Sequence, residues 1–167
     1  MLFRSVGLSN FSGWQLARAA TLQNPLFGKT SVISIQSEYS LLNRKIEEEI
    51  IPAALELSVG LLAWSPLGRG VLTGKYRSGT PSDSRGASAH LASFVAPYLD
   101  PRSKKIVDAV CVASEGLGFS PLEVALAWVR DSYGVTSSIV GARTAAQLRG
   151  ILTVEEISLP EIGRAHV

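Results

Sequence analysis

Four short segments rich in Val and Ile recur along the chain, at Ser5–Ser9, Ser31–Gln36, Gly60–Trp64 and Val135–Val140, and a helical pattern follows each of them. A strand–helix alternation of this kind predicts parallel strands joined by helical crossovers, because crossover helices cover the faces of the sheet they connect. The chain is therefore expected to be α/β. Its 167 residues are 46% hydrophobic and 18% charged, long enough for one core and too apolar for disorder. One compact domain, or a piece of one, is the expectation, with no internal repeat beyond the alternation and no low-complexity tract.

Helix starts are written in residue types. Trp14, Leu16, Ala17 and Ala20 keep helical spacing in a helix starting near Ser12 and running to about Leu22. Pro52 suits the first turn of a helix over Ile51–Ser58 better than its interior. Ser120-Pro121-Leu122-Glu123 joins an N-cap serine, a first-turn proline and a glutamate three residues after the cap, for a helix to about Arg130. Thr144-Ala145-Ala146-Gln147 repeats the cap-and-glutamine spacing just after the last strand, which places free N–H groups and a positive dipole end there.

The run from Leu61 to Tyr76 carries the strongest functional signal. An apolar strand stops at Trp64, and Ser65-Pro66-Leu67-Gly68-Arg69-Gly70 opens a polar, glycine-rich turn followed by Lys75. The layout is that of a loop binding a cofactor above a strand end. The connection from Trp64 to Pro101 is too long for an ordinary one, and its centre, Ser78 to Gly86, is rich in turn residues, so a functional or mobile segment is expected.

Other classes are excluded by composition. The net charge is +2, and Lys and Arg are scattered singly, which argues against nucleic-acid binding. No apolar run approaches the ~20 residues needed to span a bilayer. No signal-peptide pattern opens the chain, and the single cysteine, Cys111, can form no internal disulfide, so a reducing cytoplasm is the expected compartment. No metal site is expected. Cys111 reads as a buried small hydrophobe in a helix over Ile106–Ala113, and Glu47-Glu48-Glu49 as a solvated face leading into a helix.

Four blocks in order, Gly7-Leu8-Ser9-Asn10-Phe11, Gln36-Ser37-Glu38-Tyr39-Ser40, Trp64 to Tyr76, and Val140-Gly141-Ala142-Arg143-Thr144 with Gln147, sit at ends of expected strands. From Val6 to about Leu159 the chain resembles the C-terminal half of an aldo-keto reductase. The resemblance implies a TIM-type (β/α)8 barrel that binds NADP(H) at the C-terminal ends of its strands. This chain would supply about the last four βα units, a half-barrel over residues 1–161.

The resemblance also assigns roles. Ser9, Asn10 and Gln36 match residues that hydrogen-bond the nicotinamide carboxamide, and Trp64 an aromatic near that ring. The backbone of Ser65, Pro66, Leu67, Gly68 and Arg69 would wrap the pyrophosphate, with Lys75 and Arg85 reaching over it. Gly141, Arg143 and Gln147 match the 2′-phosphate site that favours NADP over NAD. Tyr39 reads as structural or as lining the cofactor cleft. At Gly150-Ile151 the family usually has an acidic or small residue and then Asn, whose amide contacts adenine, a bond that Ile151 cannot make.

The resemblance places the catalytic tetrad, Asp, Tyr, Lys and His, before Val6, and neither His90 nor His166 matches one of its positions. Catalytic residues are therefore expected to be absent from this chain. The terminal Ile162-Gly163-Arg164-Ala165-His166-Val167 resembles the in-frame translation of a sequencing-library adapter, so 162–167 is read as an artefactual tail on a truncated gene model. The implied function is reduction of a small-molecule carbonyl substrate, an aldehyde or ketone, with the missing N-terminal half of the barrel as partner. The alternatives are a non-catalytic NADP(H)-binding regulatory module, similar to potassium-channel beta-subunits, and an inactive truncated fragment.

Overall fold

A four-stranded sheet in the order β1-β2-β3-β4, parallel throughout, organises the computed structural model, which describes residues 3–23 and 30–160. The strands are β1 (Ser5–Ser9), β2 (Ser31–Glu38), β3 (Gly60–Trp64) and β4 (Val135–Ile139). Each lies where the Val/Ile segments predict it. β2 runs past Gln36 because Ser37 and Glu38 still pair with Ala63 and Trp64, and β4 stops one residue before Val140. The expected tail at 162–167, with His166, lies outside the described residues.

Among the described residues six α-helices are interspersed: α1 (Gly13–Leu22), α2 (Ile50–Glu56), α3 (Ala92–Val95), α4 (Pro101–Leu117), α5 (Pro121–Asp131) and α6 (Ala145–Leu152). The Ser12 N–H donates to Gln15 Oε1 at 2.9 Å at the start of α1, and Pro52 stands in the first turn of α2. α2 ends at Glu56, before the expected Ser58, because Ser58 turns left-handed at φ +53° and the Val59 N–H closes onto the Ala54 carbonyl. α5 has the predicted capping box: Ser120 Oγ accepts from the Glu123 N–H at 3.3 Å, and Glu123 Oε2 accepts from the Ser120 N–H at 2.7 Å. In α6 Thr144 Oγ1 caps the Gln147 N–H at 3.2 Å, while Gln147 Oε1 reaches past the cap to the Arg143 N–H at 2.8 Å.

Two expectations are corrected here, the bounds of the helix over Ile106–Ala113 and the solvated face at Glu47–Glu49. The connection before that helix, from Trp64 to Pro101, is built from short helical turns, Gly68–Thr73, Arg85–Ala87, α3 and Ala96–Tyr98, and α4 itself extends well beyond Ile106–Ala113. Asp100 caps α4 by accepting from the Ser103 N–H at 3.0 Å, and Gly118 at φ +75° ends it. The Glu47–Glu49 run is a solvated face only in part. Glu47 is held by Arg44 and by the Tyr39 hydroxyl, and Glu49 Oε2 accepts from the Gly13 N–H at 3.0 Å, clamping α1 to the start of α2. A Cβ on Gly13 would lie 2.8 Å from the Glu49 carbonyl oxygen, so that clamp requires glycine.

One face of the sheet is covered. Ile35, Leu61 and Ala63 are fully buried against Leu16, Ile51, Ala54 and Val129 of the helices. A second cluster joins α4, α5, the loop after β3 and the segment ending at Leu159, and contains Cys111 as the expected buried hydrophobe. The β1–β2 register skips Ile33, a bulge that leaves this residue 54% exposed and restores the alternation beyond it. Past the bulge Ile35 and Ser37 point to the helices, which aligns Gln36 and Glu38 with the opposite face, where the strand period also puts Leu62 and Trp64.

Candidate functional site

The C-terminal strand ends bring the first group of predicted residues together. Ser9 pairs in register with Gln36, and Glu38 with Trp64. Asn10 leaves β1 in the left-handed region at φ +57°, its N–H donating to the Gln36 carbonyl at 2.8 Å and its Oδ1 accepting from Trp64 Nε1 at 3.0 Å. Asparagine tolerates this conformation better than most residues. The turn thus ties three neighbouring strands and leaves the amide nitrogen of Asn10 available.

The second group follows β3. Ser65, Gly68, Arg69, Gly70 and Gly74 all have positive φ, so the chain curls tightly, the Gly68 N–H closing onto the Ser65 carbonyl at 2.9 Å and the Gly70 N–H onto the Leu67 carbonyl at 3.0 Å. At Gly68 the requirement is also steric, since a Cβ would lie 2.7 Å from Leu42 Cδ1. Ser65, Pro66, Leu67, Arg69, Lys75 and Arg85 face Gly141, Arg143 and Gln147, from the start of α6, across a cleft of about 240 Å³. Gly68 is buried beneath it. Ser9, Asn10, Gln36 and Trp64 do not line the cleft and stand at the strand ends beside it.

Charge gives the cleft its chemistry. Arg69, Lys75, Arg85 and Arg143 line it, and no carboxylate does. Among the described residues Lys75, Arg85 and Arg143 enter no ion pair. Unpaired cations beside left-handed glycine backbone and a capped helix start are the donor set that phosphate oxygens require. The residues therefore fit a dinucleotide phosphate. Ile151 also borders the cleft and offers it only an apolar wall.

The backbone of Arg69 belongs to the loop, and its guanidinium has partners within the protein. Nε and Nη2 each donate to Glu38 at 2.8 Å, Nη1 donates to the Phe94 carbonyl at 2.5 Å, and the group stacks 4.0 Å from the Phe94 ring centroid. The hydrogen bonds it donates to Glu38 make the guanidinium hold its proton more firmly than usual. Glu38 lies within a block that the sequence singled out without giving this residue a role, and Phe94 and Tyr98 carried no signal at all.

Tyr39 proves structural. Its ring is buried 5.3 Å from that of Trp128, its hydroxyl donates to Glu47 Oε1 at 2.7 Å, and desolvation raises its pKa. His90 is exposed on the turn-rich segment, away from the cleft. Among the described residues no three His, Cys, Asp or Glu side chains gather as metal ligands, and no single helix is long and apolar enough to cross a membrane. Larger cavities of about 910 and 500 Å³ flank Trp128, on the helical side of the sheet, and hold none of the predicted cofactor residues.

Comparison with known proteins points to the family that the four sequence blocks resemble. A family model described as the aldo/keto reductase family matches residues 2–162. Similar relatives include an uncharacterized oxidoreductase, YrpG, of Bacillus subtilis, 37% identical over 92% of this chain and 44% of its own length. Another is a probable voltage-gated potassium channel subunit beta of Oryza sativa subsp. japonica, 37% identical over 85% of this chain and 44% of its own. Protein tas of Escherichia coli is 34% identical over 95% of this chain and 45% of its own. The chain thus spans a little under half the length of these relatives.

Proposed function

The chain belongs to the aldo/keto reductase family, and from that premise we propose that it is the cofactor-binding half of an NADP(H)-dependent reductase of aldehydes or ketones. The observation that carries this reading is the cleft lined by Lys75, Arg85 and Arg143 without a carboxylate, next to the left-handed turn of Ser65 to Gly70. When bound, NADPH supplies the hydride for a carbonyl carbon. The protein's part is to bind and orient. Ser65 and Leu67 offer backbone to the pyrophosphate above the buried Gly68, and Lys75 and Arg85 neutralise it. Arg143, with Gln147 and the open backbone at Gly141, takes the 2′-phosphate. Asn10, with its left-handed turn fixed on Gln36, holds the carboxamide together with Ser9, and Trp64 walls that end of the site.

The tetrad Asp, Tyr, Lys and His belongs to the other half of the barrel on this reading, and the isolated chain turns over no substrate. Fluorescence titration of the full-length protein with NADPH and NADH tests the assignment. Arg143→Ala is expected to weaken NADPH about tenfold, as the loss of a charge-assisted contact does, and to leave NADH unchanged. Equal affinities for the two nucleotides before mutation would sink the 2′-phosphate site.

The match to a probable potassium channel subunit beta favours a second reading, an NADP(H)-binding regulatory module. Stopped assays over a carbonyl panel separate the two: nucleotide binding without NADPH oxidation selects the module.

A further inference from the structure

Arg69 stands apart from the other cations of the cleft. Its side chain and that of Glu38 are 15% and 12% exposed, and the pair is bidentate with good geometry. The remaining donor and the flat face are also engaged, by the Phe94 carbonyl and by the rings of Phe94 and Tyr98, the latter at 5.0 Å. Three segments distant in sequence meet at this one guanidinium: the end of β2, the loop after β3, and residues 92–98.

The backbone of Arg69 is left-handed at φ +60°, between Gly68 at +54° and Gly70 at +92°. Glycine accepts this conformation freely, but for arginine it is unfavourable and has to be held by the surroundings. A buried ion pair contributes little net stability once desolvation is counted, yet it fixes geometry closely. The side chain therefore acts on the shape of the loop that its own backbone forms.

We propose that Glu38 and Arg69 form a latch that positions the cofactor loop: strand β2 and the Phe94–Tyr98 shelf hold the guanidinium, and the guanidinium holds the Ser65-to-Gly70 turn against the cleft. The role assigned to this pair rests on the NADP(H) reading above. Arg69 is a positioning residue and not a phosphate ligand. The latch also links the long connection after Trp64 to the cofactor loop, so the segment over 92–98 and the turn are ordered together.

Two substitutions in the full-length protein separate this role from its rivals. Glu38→Gln keeps the shape of the side chain and removes its charge, while Arg69→Gly keeps the left-handed backbone and removes the anchor. NADPH titration by fluorescence and amide hydrogen exchange of the nucleotide-free protein are the readouts. Each variant is expected to bind NADPH about tenfold more weakly, the scale of one lost charge-assisted hydrogen bond, and to exchange faster at 65–74 and 92–98. Tighter NADPH binding by Glu38→Gln would make the freed guanidinium a direct phosphate ligand and overturn the latch. Unchanged affinity and exchange in both variants would overturn it as well. A parent protein that binds no NADPH, with exchange still faster in both variants, overturns the cofactor assignment in both places and leaves only a loop anchor.

Discussion

Asn10 meets two demands in one residue: a left-handed backbone at φ +57° that carries the chain off β1, and a side-chain oxygen that receives the Trp64 indole N–H. The demands can be separated by mutation. Asn10→Ala keeps neither the tolerance for positive φ nor the acceptor, and is expected to lower stability in urea unfolding by about 1 kcal/mol. Asn10→Gly restores the backbone freedom and is expected to lie within a few tenths of a kcal/mol of the parent, because the lost bond is solvent-exposed. Equal losses would put the weight on the side chain. The residue types at this turn are legible in the sequence, whereas Lys75, Arg85 and Arg143 are singled out there by the resemblance, and in the structure all three line one cleft. The sequence assigns only the backbone of Arg69 and leaves its side chain without a role, and the reason is physical: a guanidinium in a phosphate loop looks the same in sequence whether it faces the ligand or a carboxylate 31 residues away. Glu38 went without a role for the same reason.

At the scale of elements, local chemistry was read well and long-range packing was not. The capping box of α5 was plain from Ser120, Pro121 and Glu123 because its bonds close within one turn. The bulge at Ile33 was invisible, since Val32, Ile33 and Ile35 are all apolar and no alternation marks the skipped residue. Glu123 adds a testable pH dependence. Hydrogen bonds from the Ser120 hydroxyl and N–H lower its pKa in the folded protein. A depressed carboxyl contributes stability above its unfolded pKa, near 4.3, and loses it as pH falls through the folded value. Glu123→Gln is thus expected to be less stable than the parent near neutral pH by no more than about 0.5 kcal/mol, since the group is solvent-screened, with the gap closing on acidification below roughly pH 4. Urea midpoints measured across that range check it, and a gap that widens toward acid would contradict the assigned direction.

At the scale of the whole chain, the sheet of the described residues has two edges, β1 and β4, each paired there on one side only, and a face on which Ile33 stands exposed. Ile139 and Val140 at the β4 end, and Leu148 and Leu152 on α6, are also open to solvent, and α6 buries none of its residues. Unpaired parallel edges and exposed apolar side chains invite association. On the half-barrel reading these surfaces are where the other four βα units close the ring, since a TIM-type barrel has eight parallel strands and no edge. Expressed alone, residues 1–160 are expected to elute from size exclusion as oligomers or aggregates and to bind NADPH poorly, because the strand ends holding Asn10 and Trp64 border an open side. Co-expression with the upstream half of the gene should yield a soluble complex containing one copy of each half, with NADPH binding restored. A soluble, protease-resistant monomer of residues 1–160 that gains nothing from the upstream half would show that these edges need no partner, and the half-barrel assignment would fail with it.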